Sequence, residues 1–408
     1  MKRILSFFTL LLITGVLFAQ PAYVFHEKGQ KLFNDKKYTE AIVQFDLAIK
    51  ADATYFEAYL DRGRANVELG KTDLAMADFS KTIALNPKYA PGYFYRAKLN
   101  AQLGNDQPAI VDYTEAIKLN PDITESYVSR GMLYVKTNQQ TAALADFNKA
   151  IAMDAKNAEV FYQRGLLYRD MNKTSEALAD FTKAATLSPT MSKAFFEEGK
   201  IHAVQKKNDL AVAEFSKAIT LGETGEAVYK CRANAYLALN NDAEALKDLS
   251  YLVEVLHSKD ADVFRSRGDL YAKQKNYPLA IRDYNRALTF KKDDIPTLLS
   301  RAGCNYAQGK TKFAAAETDF KKVQSLDVDN VAAARGLAKI YFDQEKWQLC
   351  ADQLTTVIKN GATGDDYDMR GKAYFRLNNK KGACEDFSKA EQLGNKDAAK
   401  DKLNAGCK

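Results

Sequence analysis

Eight arginines of this chain are each answered, sixteen or eighteen residues later, by an aspartate: Arg62 by Asp78, Arg96 by Asp112, Arg130 by Asp146, Arg164 by Asp180, Arg232 by Asp248, Arg267 by Asp283, Arg301 by Asp319 and Arg370 by Asp386. A guanidinium beside a carboxylate can bind and polarise a substrate, or the two can hold each other through paired hydrogen bonds. A reaction needs one place where polar groups converge, and eight copies of one pair describe a scaffold instead. The pattern also fails as a unit: where the arginine becomes Leu337, the aspartate becomes Gln353. Joint loss is expected of partners that meet. In a second break Glu198 and Glu214 replace the pair, and Arg232 is expected to neutralise Glu214.

The other reactive residues are too scattered for catalysis. His26, His202 and His257 lie far apart and show no HExxH spacing. No GxSxG elbow, phosphate-cradling glycine loop or CxxC pair occurs. No catalytic residue, metal ligand or cofactor is expected, and His202 is expected to be packed or half-buried. The formal net charge is +7, with 59 Lys and Arg against 52 Asp and Glu, too mild and mixed to argue for nucleic acid.

The N-terminus has a separate logic. Met1, Lys2 and Arg3 precede an apolar run over residues 4–18, followed by Ala19, Gln20 and Pro21. This predicts a secretory signal peptide over residues 1–19, the alternative being an uncleaved anchor. The run is shorter than the roughly 20 residues of a spanning helix, and no other long apolar stretch follows. The mature chain is thus expected to be exported without a membrane span, to the periplasm first and beyond the cell second.

The elements that carry these residues follow from a longer period. Gly29, Gly63, Ala97, Gly131, Gly165, Gly199 and Ala233 recur every thirty-four residues. Twelve residues after each stands another small one, such as Ala143 or Ala177, and four further on a large one, such as Phe147 or Phe181. Three more residues bring another small position, as at Ala150 and Ala184. Steps of four and three put these residues on one face of a helix. A preceding helix carries the Gly or Ala, and the small residues let the two backbones approach while the aromatic fills the space beside them. Asn86-Pro87, Asn120-Pro121 and Ser188-Pro189 stop the second helix.

These residues resemble the tetratricopeptide repeat, a pair of antiparallel helices that stacks serially. The resemblance implies an all-α fold, an α-solenoid superhelix of about eleven helix pairs with a C-terminal capping helix. The pairs are expected to begin near Ala22, Phe56, Ala90, Thr124, Ala158, Ser192, Glu226, Ala261, Ile295, Val331 and Gly364. Regular units cover residues 22–225, less regular ones 226–396, and the cap 397–408. The irregularity shows in the small positions Ala233, Gly268, Ala302, Ala338 and Gly371, spaced by 35, 34, 36 and 33, with extra residues of the ninth unit near 309–312.

All five cysteines lie in the C-terminal half. With a turn at residues 394–396, the last unit's second helix and the cap run antiparallel, and Cys384 and Cys407 stand about equally far on either side. A disulfide is expected there, two ordinary cysteines at a helix end being the alternative. Cys231, Cys304 and Cys350 are expected to be packed thiols.

In the resembling family the first helix of each unit lines a concave face along which partner segments lie. The inward positions here are Phe94, Tyr95 and Lys98, then Met132, Tyr162, Leu166, Phe196 and Lys200. They form an apolar and aromatic stripe with basic edges, suited to a peptide bearing acidic and hydrophobic side chains, some of the aromatics packing between helices instead. Chaperone-binding relatives use a Lys, Asn, Asn, Lys, Arg clamp; Lys230 and Asn234 match its first two places, but Ser266, Pro296 and Ser300 follow. The implied function is a non-enzymatic scaffold of the cell envelope that binds a protein or peptide. The alternatives are a structural or self-associating spacer and an accessory to envelope polysaccharide handling.

Overall fold

The computed structural model describes residues 21–407, so the expected signal peptide lies outside the described residues. Every long element among them is an α-helix, and no strand occurs. Two compact units divide between Ala194 and Phe195, inside a helix; the sequence placed its change of regularity at Glu226.

The first unit contains five complete hairpins: α1 Ala22–Asn34 with α2 Tyr38–Ala51, α3 Phe56–Glu68 with α4 Thr72–Leu85, and α5 Ala90–Gln102 with α6 Asp106–Leu119. Then come α7 Thr124–Lys136 with α8 Gln140–Met153, and α9 Ala158–Asp170 with α10 Thr174–Leu187. The helix α11 Ser192–Val204 crosses the division and precedes α12 Asn208–Thr220. In the second unit α13 Glu226–Ala238 pairs with α14 Asp242–Glu254, α15 Ala261–Lys273 with α16 Tyr277–Phe290, and α17 Ile295–Ala307 with α18 Phe313–Leu326. The chain ends with α19 Val331–Asp343 and α20 Trp347–Gly361, α21 Gly364–Arg376 and α22 Lys380–Gln392, and the short α23 Ala398–Asn404. The eleven hairpins begin where the small-residue period put them.

Each hairpin turns through a left-handed residue just past its first helix. Asn172 has φ 59°; its N–H donates to the Arg169 carbonyl at 2.9 Å, and the Lys173 N–H donates to the Tyr168 carbonyl at 2.8 Å. These two bonds close off helix-end carbonyls that would otherwise lack donors. Gly70 takes the same role with φ 70°, where the absence of Cβ removes the steric cost. The second helices stop at Asn86, Asn120 and Ser188, each just before its proline.

Packing within a hairpin explains the small residues. A Cβ added to Gly165 would sit 2.7 Å from Cε1 of Phe181, and one on Gly131 would sit 2.8 Å from Cε1 of Phe147. The ring therefore occupies the space a side chain would need. Ala177, Phe181 and Ala184, on one face of α10, are fully buried.

All eight arginine–aspartate pairs form, each through Nε and Nη2 to the two carboxylate oxygens. In Arg130–Asp146 both bonds are 2.8 Å, and in Arg164–Asp180 both are 2.7 Å. The third nitrogen usually reaches back to the preceding second helix, as Arg130 Nη1 does to Thr114 Oγ1 at 2.9 Å. Each arginine thus ties its own hairpin together and to the one before. Where the pair is absent, Leu337 is buried in the apolar core and Gln353 Oε1 accepts instead from Gln324 at 2.7 Å. Arg232 does not serve Glu214: its nitrogens bond Asp248 at 2.8 and 2.7 Å and Ser216 at 3.1 Å. Burial raises the Glu214 carboxyl above its ordinary value, and Lys217 is the cation that opposes this. Arg232 fails in that role because its fork is already filled by its own aspartate.

The added residues of the ninth unit form a short 3-10 turn, Lys310–Lys312, before α18. At the C-terminus Cys384 and Cys407 are joined as a disulfide with Cα atoms 5.5 Å apart, and Ala405 packs beside Ala383 and Phe387. Cys304 and Cys350 are buried, which pushes their thiols up to about 11 and about 12 respectively, while Cys231 is half-buried.

Two substitutions test this account. Gly165→Ala should cost about 1–3 kcal/mol by displacing Phe181, seen as a lower urea midpoint with an unchanged slope. Asp146→Ala should cost about 2–4 kcal/mol because Arg130 keeps its charge in a half-buried place. Combining it with Arg130→Leu should cost less than the two single losses together; strict additivity would show that the pair does not act as a unit.

Candidate functional site

A polar and aromatic arrangement of the first unit is built by α1, α3 and α5. Each contributes one side chain: Phe33 one turn after Gly29, whose ring also meets Tyr38 of its own hairpin at 5.3 Å, Arg64 directly after Gly63, and Tyr95 two residues before Ala97. The Arg64 guanidinium lies between two rings, its carbon 4.7 Å from the Phe33 centroid and 4.9 Å from the Tyr95 centroid. Attraction to both π faces holds the cation in a fixed plane. Beside it is a cavity of about 270 Å³, lined also by Val67, Lys98 and Leu99. Arg64 borders a second cavity of about 210 Å³ with Gln30 and Asn34.

A buried polar chain positions that arginine from below. Arg64 Nη1 donates to Asp61 Oδ1 at 2.7 Å, while Asp61 Oδ2 accepts from Gln30 Nε2 at 3.0 Å and lies 2.9 Å from His26 Nε2. The Tyr55 hydroxyl lies 3.1 Å from His26 Nδ1. Since a carboxylate only accepts, the contact with Asp61 assigns a proton to Nε2. His26 and Asp61 are both buried. Burial alone would raise the Asp61 carboxyl, but the bonds from His26, Gln30 and Arg64 hold it below its ordinary value. Burial, then Glu57, Asp61 and Glu27, push the Tyr55 hydroxyl up, so it stays a donor.

The stripe read from the sequence is brought together only in part. Tyr95 and Lys98 line the larger cavity, and Lys98 Nζ bonds the exposed Glu125 at 2.9 Å. Phe94 is a correction: it is buried in the α5–α6 core with Tyr113, ring centroids 6.0 Å apart, because its position faces the partner helix of its own hairpin. Met132 on α7 is exposed and Leu166 on α9 half-buried. Tyr162 tilts against Phe181 at 5.7 Å and carries Lys193 Nζ 4.4 Å above its ring. Phe196 and Lys200 belong to the second unit, where Phe196 packs against Phe215 at 5.9 Å and Lys200 bonds Glu197 at 2.8 Å. Lys230 is held by Asp260, which leaves the chaperone-type clamp without even its first cation. His202 is half-buried, and burial, then Lys207, lowers its tendency to protonate.

Phe33 and Arg64 were missed. Lys98, Met132, Leu166 and Lys200 all occupy the position directly after the small residue, and Arg64 stands in the same column. Extending that column toward the N-terminus finds it.

The linkage of Asp61 has a definite sign. Its folded value is depressed, so its contribution is complete above the unfolded value of about 3.9 and is lost as pH falls through the lower folded value. Asp61→Asn should therefore be less stable than the parent at pH 7, by about 1–3 kcal/mol, with the gap narrowing below about pH 4. A urea series at several pH values reads this, and a gap independent of pH would assign the loss to shape alone.

Family models described as TPR repeat match residues 131–172, and models described as tetratricopeptide repeat match residues 56–89, 162–226 and 232–295. Among solved structures, the chain is similar to a tetratricopeptide repeat protein from Parabacteroides merdae, with 19% identity over 60% of this chain and 97% of that one, TM-score 0.43. It is also similar to the C-terminal part of a TPR repeat-containing protein from Cytophaga hutchinsonii, with 20% identity over 67% of this chain and 98% of that one, TM-score 0.45. A third is YrrB, described as a TPR protein with an unusual peptide-binding site, with 19% identity over 49% and 97% and TM-score 0.40. No curated protein matches the sequence. With the repeat matched in four stretches and its hairpin formed eleven times among the described residues, the chain carries tetratricopeptide repeats.

Proposed function

We propose that this protein is a non-catalytic scaffold that holds a segment of another protein against α1, α3 and α5. The observation that carries this is Arg64, fixed between Phe33 and Tyr95 at the edge of a cavity of about 270 Å³. A guanidinium held in this way presents donors to a carboxylate without losing rotamer freedom on binding. Val67 and Leu99 offer an apolar wall beside it. The segment that fits carries an acidic side chain next to a hydrophobic one. Lys98 supplies a second, more weakly held cation, since its bond to Glu125 is exposed.

The chain's N-terminal sequence supports export, with the periplasm as the proposed compartment and an envelope complex as the setting. No helix among the described residues is long and apolar enough to cross a membrane.

A peptide array pairing acidic with apolar residues, read with the full mature chain, tests the proposal. Arg64→Gln should weaken the bound set by about tenfold to a hundredfold, as expected for a lost charged hydrogen bond. Tyr95→Ala should weaken the same peptides while helicity is unchanged. Identical binding by both variants would place recognition elsewhere.

A further inference from the structure

The second unit contains a cleft of about 580 Å³ that is lined mainly by second helices, on elements the proposed peptide site does not use. It lies among α14, α15 and α16 and the loop over residues 255–260. The loop creates it. The helix α14 stops at Glu254, and the chain turns away through His257 in the left-handed region, φ 51°. The ladder arginine there has changed partner: sixteen residues before Arg267 stands Tyr251, whose ring packs on Tyr229 at 4.5 Å. Arg267 Nη1 therefore bonds Glu254, three residues further along, at 2.9 Å. With Asp283 on its other side at 2.7 and 2.9 Å, Arg267 is almost fully buried at the base of the cleft with its donors engaged.

Two further arginines on α16 have no such engagement. Arg282 is exposed, and its nearest carboxylate oxygen, on Asp283, is 3.8 Å away and already bonded to Arg267. The Arg286 guanidinium makes no hydrogen bond or ion pair among the described residues and instead lies over Phe290, 4.9 Å from the ring centroid. Phe264 gives the cleft an aromatic face, backed by Phe290 with ring centroids 5.7 Å apart. The Asn285 oxygen is taken by Arg301 at 2.6 Å, so its amide contributes a donor to the cleft. The cleft therefore sets three guanidiniums against two carboxylates, Glu254 and Asp283, both bonded to Arg267.

We propose that this cleft binds an extended acidic segment of a partner protein, at a site separate from the one against α1, α3 and α5. Arg282 and Arg286 are four residues apart on a helix, an axial distance of about 6 Å. Alternate residues of an extended chain lie about 6.6 Å apart and point the same way. Two carboxylates in a Glu-x-Glu sequence match the two guanidiniums, and a following apolar residue at the next same-face position meets Phe264. A lone oxyanion would engage the arginines and leave the aromatic face unused.

The test uses calorimetry on the full mature chain with three probes: a synthetic Glu-Thr-Glu-Thr-Phe peptide, its Gln-Thr-Gln-Thr-Phe counterpart and inorganic phosphate. The Glu peptide should bind, weaken as salt rises, and lose at least about tenfold in affinity to the double variant Arg282→Gln with Arg286→Gln. Both side chains are exposed, so helicity should be retained. The Gln peptide should not bind. The titrations are run in the Arg64→Gln background, so heat from this peptide at the site against α1, α3 and α5 does not contribute and the two proposals fail separately. Equal binding of the Glu peptide to the double variant, equal binding of the Gln peptide, or binding of phosphate alone would each overturn the proposal.

Discussion

The whole arrangement depends on a space left empty on one helix so that a ring on its partner can fill it. Gly131, Gly165 and their equivalents give up a side chain, and Phe147, Phe181 and theirs take its place. Exclusion by volume is steep, because interiors are packed as densely as molecular crystals. That contact sets how close the two helices lie, and the closeness brings each arginine within reach of the aspartate sixteen or eighteen residues on. The ion pairs follow from the packing, since a bidentate bond needs its partners already placed.

This hierarchy explains what could be read in the sequence. Hairpin starts were legible because a small residue, a second small one and a ring must keep fixed offsets; changing an offset moves a ring into backbone. The Arg–Asp pairs were legible because Leu337 and Gln353 depart together. Phe94 and Tyr95 were not separable, since adjacent residues on a helix differ by about 100° and a small rotation decides which one enters the core. Arg64 was harder still, because its column is under no packing constraint and holds Gln30, Lys98, Met132 and Leu166 elsewhere. Freedom from packing makes such a column available for recognition, and the same freedom removes the regularity by which it could be recognised. Glu214 failed for a different reason: proximity in the repeat said nothing about whether Arg232 had a nitrogen to spare.

The arginines therefore fall into two populations. Ladder members such as Arg130 and Arg164 spend their donors inside the scaffold. Arg64, Arg282 and Arg286 lie against aromatic rings or stand exposed, outside the ladder. Arg64 is steadied by Asp61, itself steadied by His26 and Gln30. A buried carboxylate that serves three donors at once has little room to reorganise, which gives the cation above it a rigid footing.

The link between Cys384 and Cys407 joins residues 23 apart in sequence, across α22 and α23. Among the described helices α23 packs chiefly on α22, so local opening there disturbs few contacts. A covalent tie from that end back to α22 carries tension past α23 and into the final hairpin. Peeling one short helix then requires disturbing a much larger body of packed side chains.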